Sequence, residues 1–204
     1  MNMMQLLYTP TSPYARRARL AVHEAGLTDQ VKLVDINPRE TNIGQLLSHN
    51  PSGKVPLLIT DDGTALCESL IIARHLDNAS GGKLYPSDAA ALSQTLETES
   101  IASVLMDSLY VRSHENRRDA AQRSQNLIDL EKARAMRCYN ALESRAGSFG
   151  DRLDMGTITA LCSLGYADGR HSGDEWRSGR STPSTWFERI SKRPAIAASA
   201  PVFS

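Results

Sequence analysis

The first part of the chain alternates short apolar runs with segments of helical spacing. Leu6-Leu7-Tyr8 predicts a strand, followed by a loop from Thr9 to Ser12. Tyr14, Ala18, Ala21, Val22 and Ala25 then recur at the period of one helix face, and Gly26 predicts the stop. Val31-Lys32-Leu33-Val34-Asp35-Ile36 predicts a second strand, and the stretch to Asn50 a loop with room for one short helix. Residues 55–60 and 64–67 predict a hairpin around Asp62-Gly63, and Ser69 to Asp77 a closing helix.

Asn78 to Asp88 is rich in turn formers, and beyond it the pattern is helical throughout, which predicts an α/β domain over residues 1–78, a linker over 79–88 and an all-helical domain over 89–204. Long helices are predicted over Ala89 to His114 and Ala120 to Ala146. The second carries an apolar stripe of Leu127, Leu130, Cys138, Ala141 and Leu142 that Arg134 interrupts. Met155 to Tyr166 has few charges and is predicted as the buried centre of the second domain. Asp168 to Arg180, polar and glycine-rich, is predicted as a surface loop. Pro183 sits near the start of a helix through Ile190, and Pro194 begins a last short one.

Composition narrows the function. Of 204 residues, 41% are hydrophobic, enough for a substantial core. Lys plus Arg number 23 and Asp plus Glu number 23, which argues against nucleic acid or an anionic membrane as partner. The N-terminus lacks a basic segment followed by an apolar core, and no run approaches the length of a membrane span, so a soluble, cytoplasmic protein is expected. Cys67, Cys138 and Cys162 have no C-x-x-C spacing and are expected to be reduced and buried as small hydrophobes. His49, His75, His171 and the other histidines show no ligand spacing, so neither a metal nor a nucleotide is expected.

The chemistry concentrates between residues 50 and 69. Asn50-Pro51-Ser52-Gly53-Lys54-Val55-Pro56 leads into the hairpin, and Cys67-Glu68-Ser69 leads into the closing helix. A Val-Pro pair opening a β-run is a candidate cis peptide, and it turns the Val55 backbone toward solvent, where an extended peptide can pair with it. Glu68-Ser69 at a strand-to-helix turn sets an acid and a hydroxyl beside free helix N–H groups, a setting suited to a carboxylate with a neighbouring ammonium. Each fragment alone also reads as an edge strand or a plain N-cap; the ordered set points to a peptide pocket.

The order βαβ, Val-Pro, hairpin and helix, followed by helices only, resembles the cytosolic glutathione S-transferases, and the resemblance spans nearly the whole chain. Thr11-Ser12-Pro13-Tyr14-Ala15-Arg16-Arg17-Ala18-Arg19 is similar to the family's S-P-[FY]-x-R-[KR]-[VA]-R segment, and Trp186-Phe187-Glu188-Arg189-Ile190 before Lys192-Arg193-Pro194 to its usual ending. Met106-Asp107, Ala120-Ala121-Gln122-Arg123-Ser124 and Leu164-Gly165-Tyr166 resemble small bacterial members of the YibF type. The resemblance implies a thioredoxin-like α/β N-terminal domain and an all-α C-terminal domain. One departure stands out. The family caps its buried central helix with Ser or Thr and places Asp three residues later, whereas Asp154-Met155-Gly156-Thr157 exchanges the two roles.

Ser12-Pro13-Tyr14-Ala15 stands where the related glutaredoxins carry C-P-Y-C. With both cysteines absent, disulfide exchange through a protein thiol at this place is excluded. The resemblance to serine-dependent members implies that Ser12 donates a hydrogen bond to the sulfur of glutathione and favours its thiolate. Lowering a thiol pKa of about 8.5 by one to two units needs about 1.4 to 2.7 kcal/mol, within reach of one charge-assisted hydrogen bond. The helix N-terminus adds its positive end, and Arg16, one turn on, is expected to raise the local potential. Ser12 also reads as a simple N-cap, and Tyr8 and Thr9 remain rival sulfur partners.

The resemblance further implies Lys54 at the glycyl carboxylate, Val55 pairing with the cysteinyl unit, and Glu68 with Ser69 at the γ-glutamyl end. Tyr14, Met106, Tyr110 and His114 are expected to line an electrophile pocket. The implied function is conjugation of glutathione, as co-substrate, to a small apolar electrophile by a homodimer engaged in detoxification. A non-catalytic binding or regulatory protein of the same fold and a glutathione-dependent peroxidase are the alternatives.

Overall fold

A computed structural model describes residues 3–37 and 43–203. Strands β1 (Met4–Tyr8), β2 (Val31–Asp35), β3 (Leu57–Ile59) and β4 (Ala65–Leu66) form one sheet in the order β2-β1-β3-β4. β1 runs parallel to β2, with Leu6 opposite Leu33, and antiparallel to β3, with Leu6 opposite Leu58; β3 and β4 are the predicted hairpin. Gly63 closes it at φ +87, a conformation open to glycine at little cost. The alternation of a strand puts Leu6 and Leu7 on opposite faces. Leu6 joins the main core with Ala18, Leu20 and Ile72, and Leu7 packs with Ile36, Leu46 and Leu57.

Helices α1 (Pro13–Glu24) and α3 (Ser69–Ala79) pack on each other, while α2 (Ile43–Leu47) supplies Leu46 to the smaller cluster. The helical region follows with α4 (Ala89–Asn116), α5 (Gln125–Glu143), α6 (Met155–Arg170), α7 (Ser181–Ser191) and α8 (Pro194–Ala198). Buried Asp77 ties the intervening segment down: Oδ1 accepts from the amides of Leu84 (2.7 Å) and Tyr85 (3.1 Å), and the Leu84 carbonyl accepts from Met155 N at 3.0 Å. α6 is the centre of this region, buried without a break from Met155 to Ala167 and packed on α4, α1 and the turn at Ser172–Asp174. Its exchanged cap forms in full, Asp154 accepting from Thr157 N (2.8 Å) and Thr157 Oγ1 accepting from Asp154 N (2.9 Å). A Cβ on Gly156 would stand 2.7 Å from the Thr95 carbonyl, so the approach of α4 to α6 requires glycine there.

Two expectations are corrected. The predicted helix from Ala120 to Ala146 is a 3-10 turn at Ala120–Gln122 and then α5, capped by Ser124. Its buried line is Glu131, Ala135, Tyr139 and Leu142, with Leu130 exposed and Leu127 only half-buried, and Arg134 lies outside that line, paired with Glu131. Nor is Asp168 to Arg180 a surface loop. α6 continues to Arg170, and His171, Asp174, Trp176 and Arg180 are buried. Arg112 of α4 organises them, donating from Nη2 to Asp174 (2.6 Å) and from Nε to His171 Nδ1 (3.1 Å), while Tyr139 donates to Asp174 at 3.3 Å.

Because Nδ1 of His171 accepts from Arg112, the neutral ring carries its proton on Nε2, which donates to the Leu109 carbonyl at 2.9 Å. Burial, and then the Arg112 charge, push this imidazole from its ordinary value near 6.5 down to about 4, against the pull of Asp174. A depressed histidine pKa means that the unfolded chain binds the proton first. Stability from this group is complete above about pH 6.5 and falls as the pH drops toward about 4, by at most about 1.4 kcal/mol per pH unit. Urea titrations between pH 7 and 4.5 are expected to give a steeper loss for the native chain than for His171→Gln; equal slopes would contradict the assignment.

Candidate functional site

Ser12 caps α1, with Oγ accepting from Ala15 N at 3.2 Å and Pro13 at the first helical position. Among the described residues none accepts the Ser12 proton. A hydroxyl oxygen caps with a lone pair, so the cap leaves the O–H free to donate elsewhere. Tyr8 ends β1 with the Arg19 guanidinium over its ring at 4.4 Å, and the Thr9 carbonyl accepts from Ser12 N at 3.3 Å. Arg16 is not directed at this turn: its guanidinium donates to Ser199 Oγ (3.3 Å) and the Ile196 carbonyl (3.2 Å), beside Gly165. The expectation that Arg16 raises the potential at Ser12 is corrected accordingly.

The Val55–Pro56 peptide is cis. Asn50, fully buried, shapes the approach to it: Oδ1 accepts from Ser52 N (3.0 Å) and Ser52 Oγ (2.8 Å), and Nδ2 donates to the Lys54 carbonyl at 2.8 Å. Lys54 is exposed and Val55 half-buried, and among the described residues neither the amide nor the carbonyl of Val55 is paired.

At the start of α3 the cap is Glu68, not Ser69. Its Oε2 accepts from Leu70 N at 2.7 Å, and its Oε1 accepts from the Ser69 hydroxyl at 3.2 Å. Buried Ser69 in turn accepts from Nη2 of Arg17 at 2.5 Å, and Nη1 of Arg17 donates to Ser103 on α4 at 2.9 Å. Arg17 therefore joins the first turns of α1 and α3. The pattern reading assigns it no role, because what distinguishes it is a partner far along the chain.

Tyr14 donates to Asp107 Oδ1 at 2.6 Å, and burial together with that carboxylate raises its phenol pKa. Its ring meets Tyr110 edge-on at 5.4 Å, and Tyr110 lies 4.2 Å from His114, so three of the four expected pocket residues form one aromatic row. Met106 is not among them; it is fully buried in the core and offers a ligand no surface. Cys67, expected buried, is exposed beside Glu68, whereas Cys162 is buried and its thiol pushed up to about 11.

Residues 11–79, which hold the Ser12 turn, the cis peptide and the Glu68 cap, match the family described as glutathione S-transferase, N-terminal domain. A probable glutathione transferase of Aplysia californica is 38% identical over 69 residues, covering 34% of this chain and 71% of that protein. The chain belongs to the glutathione S-transferase family. The match to an uncharacterized GST-like protein of Escherichia coli K12, YibF, is 28% over 97% of this chain and 98% of that protein. Among solved glutathione transferases, a family member from Pseudomonas fluorescens Pf-5 with bound glutathione is 29% identical, with a TM-score of 0.90 over 98% of this chain and 100% of that one. Another, from Methylobacillus flagellatus with glutathione bound, is 26% identical, with a TM-score of 0.88 over the same shares.

The cap at Ser12 can be measured apart from any chemistry. Ser12→Ala is expected to lower unfolding stability by about 1 kcal/mol and Ser12→Gly by only a few tenths, as read from urea midpoints. Equal and negligible effects of both would remove the capping bond.

Proposed function

We propose that the protein is a glutathione transferase that holds glutathione in the N-terminal domain, residues 1–78, stabilises its thiolate with Ser12 and conjugates it to a small apolar electrophile. The observation that carries this is the junction of two helix N-termini, where Arg17 links the Ser12 turn to the Glu68-Ser69 cap. Free N–H groups and an acid at one such end suit the γ-glutamyl zwitterion, and an unengaged hydroxyl at the other suits the sulfur. Val55 offers backbone groups to the cysteinyl unit and Lys54 a charge to the glycyl carboxylate. Tyr14, Tyr110 and His114 offer the electrophile an aromatic wall against residues 89–204, beyond the linker. The Tyr14 hydroxyl already donates to Asp107, so Tyr14 contributes its ring rather than a donor to the sulfur. Catalysis of this kind is positioning and thiolate stabilisation. It draws on reduced glutathione, which fits a cytoplasmic site and a role in detoxification.

We also propose a homodimer. Leu70 and Ile71 on α3, and Leu96, Val104 and Val111 on α4, are exposed, and symmetric pairing through these helices would cover them. Among the described residues no helix is long and apolar enough to cross a membrane.

Calorimetry is expected to register binding of glutathione at millimolar ligand, with a matching thermal shift; silence in both would remove the pocket. Ser12→Ala is expected to cut turnover far more than glutathione affinity. If Tyr8→Phe does this instead, the sulfur partner is Tyr8; if glutathione binds but neither electrophiles nor hydroperoxides turn over, the binding-protein reading replaces the enzyme. Sedimentation at micromolar concentration is expected to give twice the chain mass of 22.3 kDa, and a single species at that mass would refute the dimer.

A further inference from the structure

Asp107, Tyr110 and His114 follow one another at intervals of three and four residues, which sets them on one face of α4, and Tyr14 of α1 meets that face. The three rings are half-buried and the carboxylate is exposed. Only one of its oxygens is engaged: Oδ1 accepts from the Tyr14 hydroxyl at 2.6 Å, whereas among the described residues Oδ2 has no hydrogen-bond partner and Asp107 no ion pair. A phenol that donates to an anion is polarised by it, which leaves the Tyr14 ring richer in electrons. Positive charge stands off from this carboxylate. Arg17 lies 6.0 Å from the Tyr14 ring, but it is buried and bonds Ser69 and Ser103. Arg117 and Arg118 are exposed, but they follow the end of α4, about 15 Å beyond Asp107 along the helix, which exceeds the screening length of physiological salt. A carboxylate at the edge of electron-rich rings attracts a cation and repels an anion. For a mere tie between α1 and α4, an uncharged acceptor would serve as well.

We propose that Asp107 is a specificity-determining residue of the electrophile pocket: it admits electrophiles whose apolar body carries a cationic group or an N–H donor, and it turns anionic ones away. The inference rests on the glutathione reading above and narrows its second substrate. The apolar body lies along Tyr110 and His114, and the cation or donor faces the unused Oδ2 of Asp107. In the displacement itself the glutathione sulfur supplies the electron pair of the new C–S bond and the leaving group departs with the old one. The charged group is a spectator that neither gains nor loses a proton, so its role is confined to recognition.

The test uses three conjugates that differ only in charge: S-(4-trimethylammoniomethylbenzyl)glutathione, S-(4-methylbenzyl)glutathione and S-(4-carboxybenzyl)glutathione, with glutathione itself as the reference. By calorimetry the native chain is expected to bind the cationic conjugate at least about tenfold more tightly than the carboxylate one, with the neutral one between them. Raising the salt from about 50 mM to about 0.5 M should shrink that ratio, since an exposed carboxylate is screened. Asp107→Asn keeps an acceptor for Tyr14 and removes only the charge, and it should bring the ratio to within about twofold; Asp107→Glu should retain part of it. Each ratio is taken within one protein, so a general weakening of the glutathione site cancels. The matching benzyl chlorides, each rate divided by its uncatalysed rate with glutathione, should follow the same order in kcat/KM. Equal binding of the cationic and carboxylate conjugates by the native chain, a ratio indifferent to salt, or a full ratio in Asp107→Asn overturns the role of Asp107 and leaves the glutathione site standing. If the native chain binds neither glutathione nor any conjugate, the site reading and this inference fall together.

Discussion

Helix α1 is wedged among the sheet, α3 and α6, and is buried on nearly every side, yet two of its consecutive residues are arginines. Taking guanidinium groups out of water costs several kcal/mol each unless their N–H groups are satisfied. Successive helix residues point about 100° apart, so the two side chains leave α1 toward different neighbours. Arg16 enters the space kept open by Gly165 and bonds the end of α8, and Arg17 bonds α3 and α4. These requirements orient the helical region on the sheet and hold the start of α3 beside the start of α1.

The helical region follows the same rule on a larger scale. α6 is apolar enough to be buried whole, and polar ties secure its ends. Asp154 caps one end and accepts from Thr95 Oγ1 at 2.8 Å, while at the other end His171 takes up Arg112. Shape is set by burial; which surfaces meet is set by the few polar groups that must find partners.

The strands and most helices were legible in the sequence because their signal is local: Leu6-Leu7, the Asp62-Gly63 turn, the spacing of Ala18, Ala21 and Val22. α5 was not, since its buried line carries Glu131 and Tyr139 while Leu130 faces water, which inverts what hydropathy suggests. The segment from Asp168 to Arg180 has the composition of a loop, but its polar side chains satisfy one another. Asp168 accepts from Trp176 and Arg177, and Arg180 donates to Asn140. At the site, Ser12, Glu68 and Ser69 could be singled out because a cap is a short-range pattern. Arg17 and Asp107 could not, since their meaning depends on partners 52 and 93 residues away. Met106 shows the converse, a residue at suitable spacing whose side chain the packing of α4 turns fully inward.

The exchanged cap of α6 bears on how such a sequence arises. Two reciprocal hydrogen bonds are all the helix start needs, and Asp154 with Thr157 supplies them as well as a hydroxyl followed by a carboxylate would. Passing from one arrangement to the other takes two substitutions, and the two intermediates are not equal. Asp at both positions would set two carboxylates against each other at a half-buried end, where neither could ionise without opposing its neighbour. A hydroxyl at both keeps a donor and an acceptor on each side. The start of α6 therefore depends on the reciprocity of the two bonds, and not on which of the two positions carries the carboxylate and which the hydroxyl.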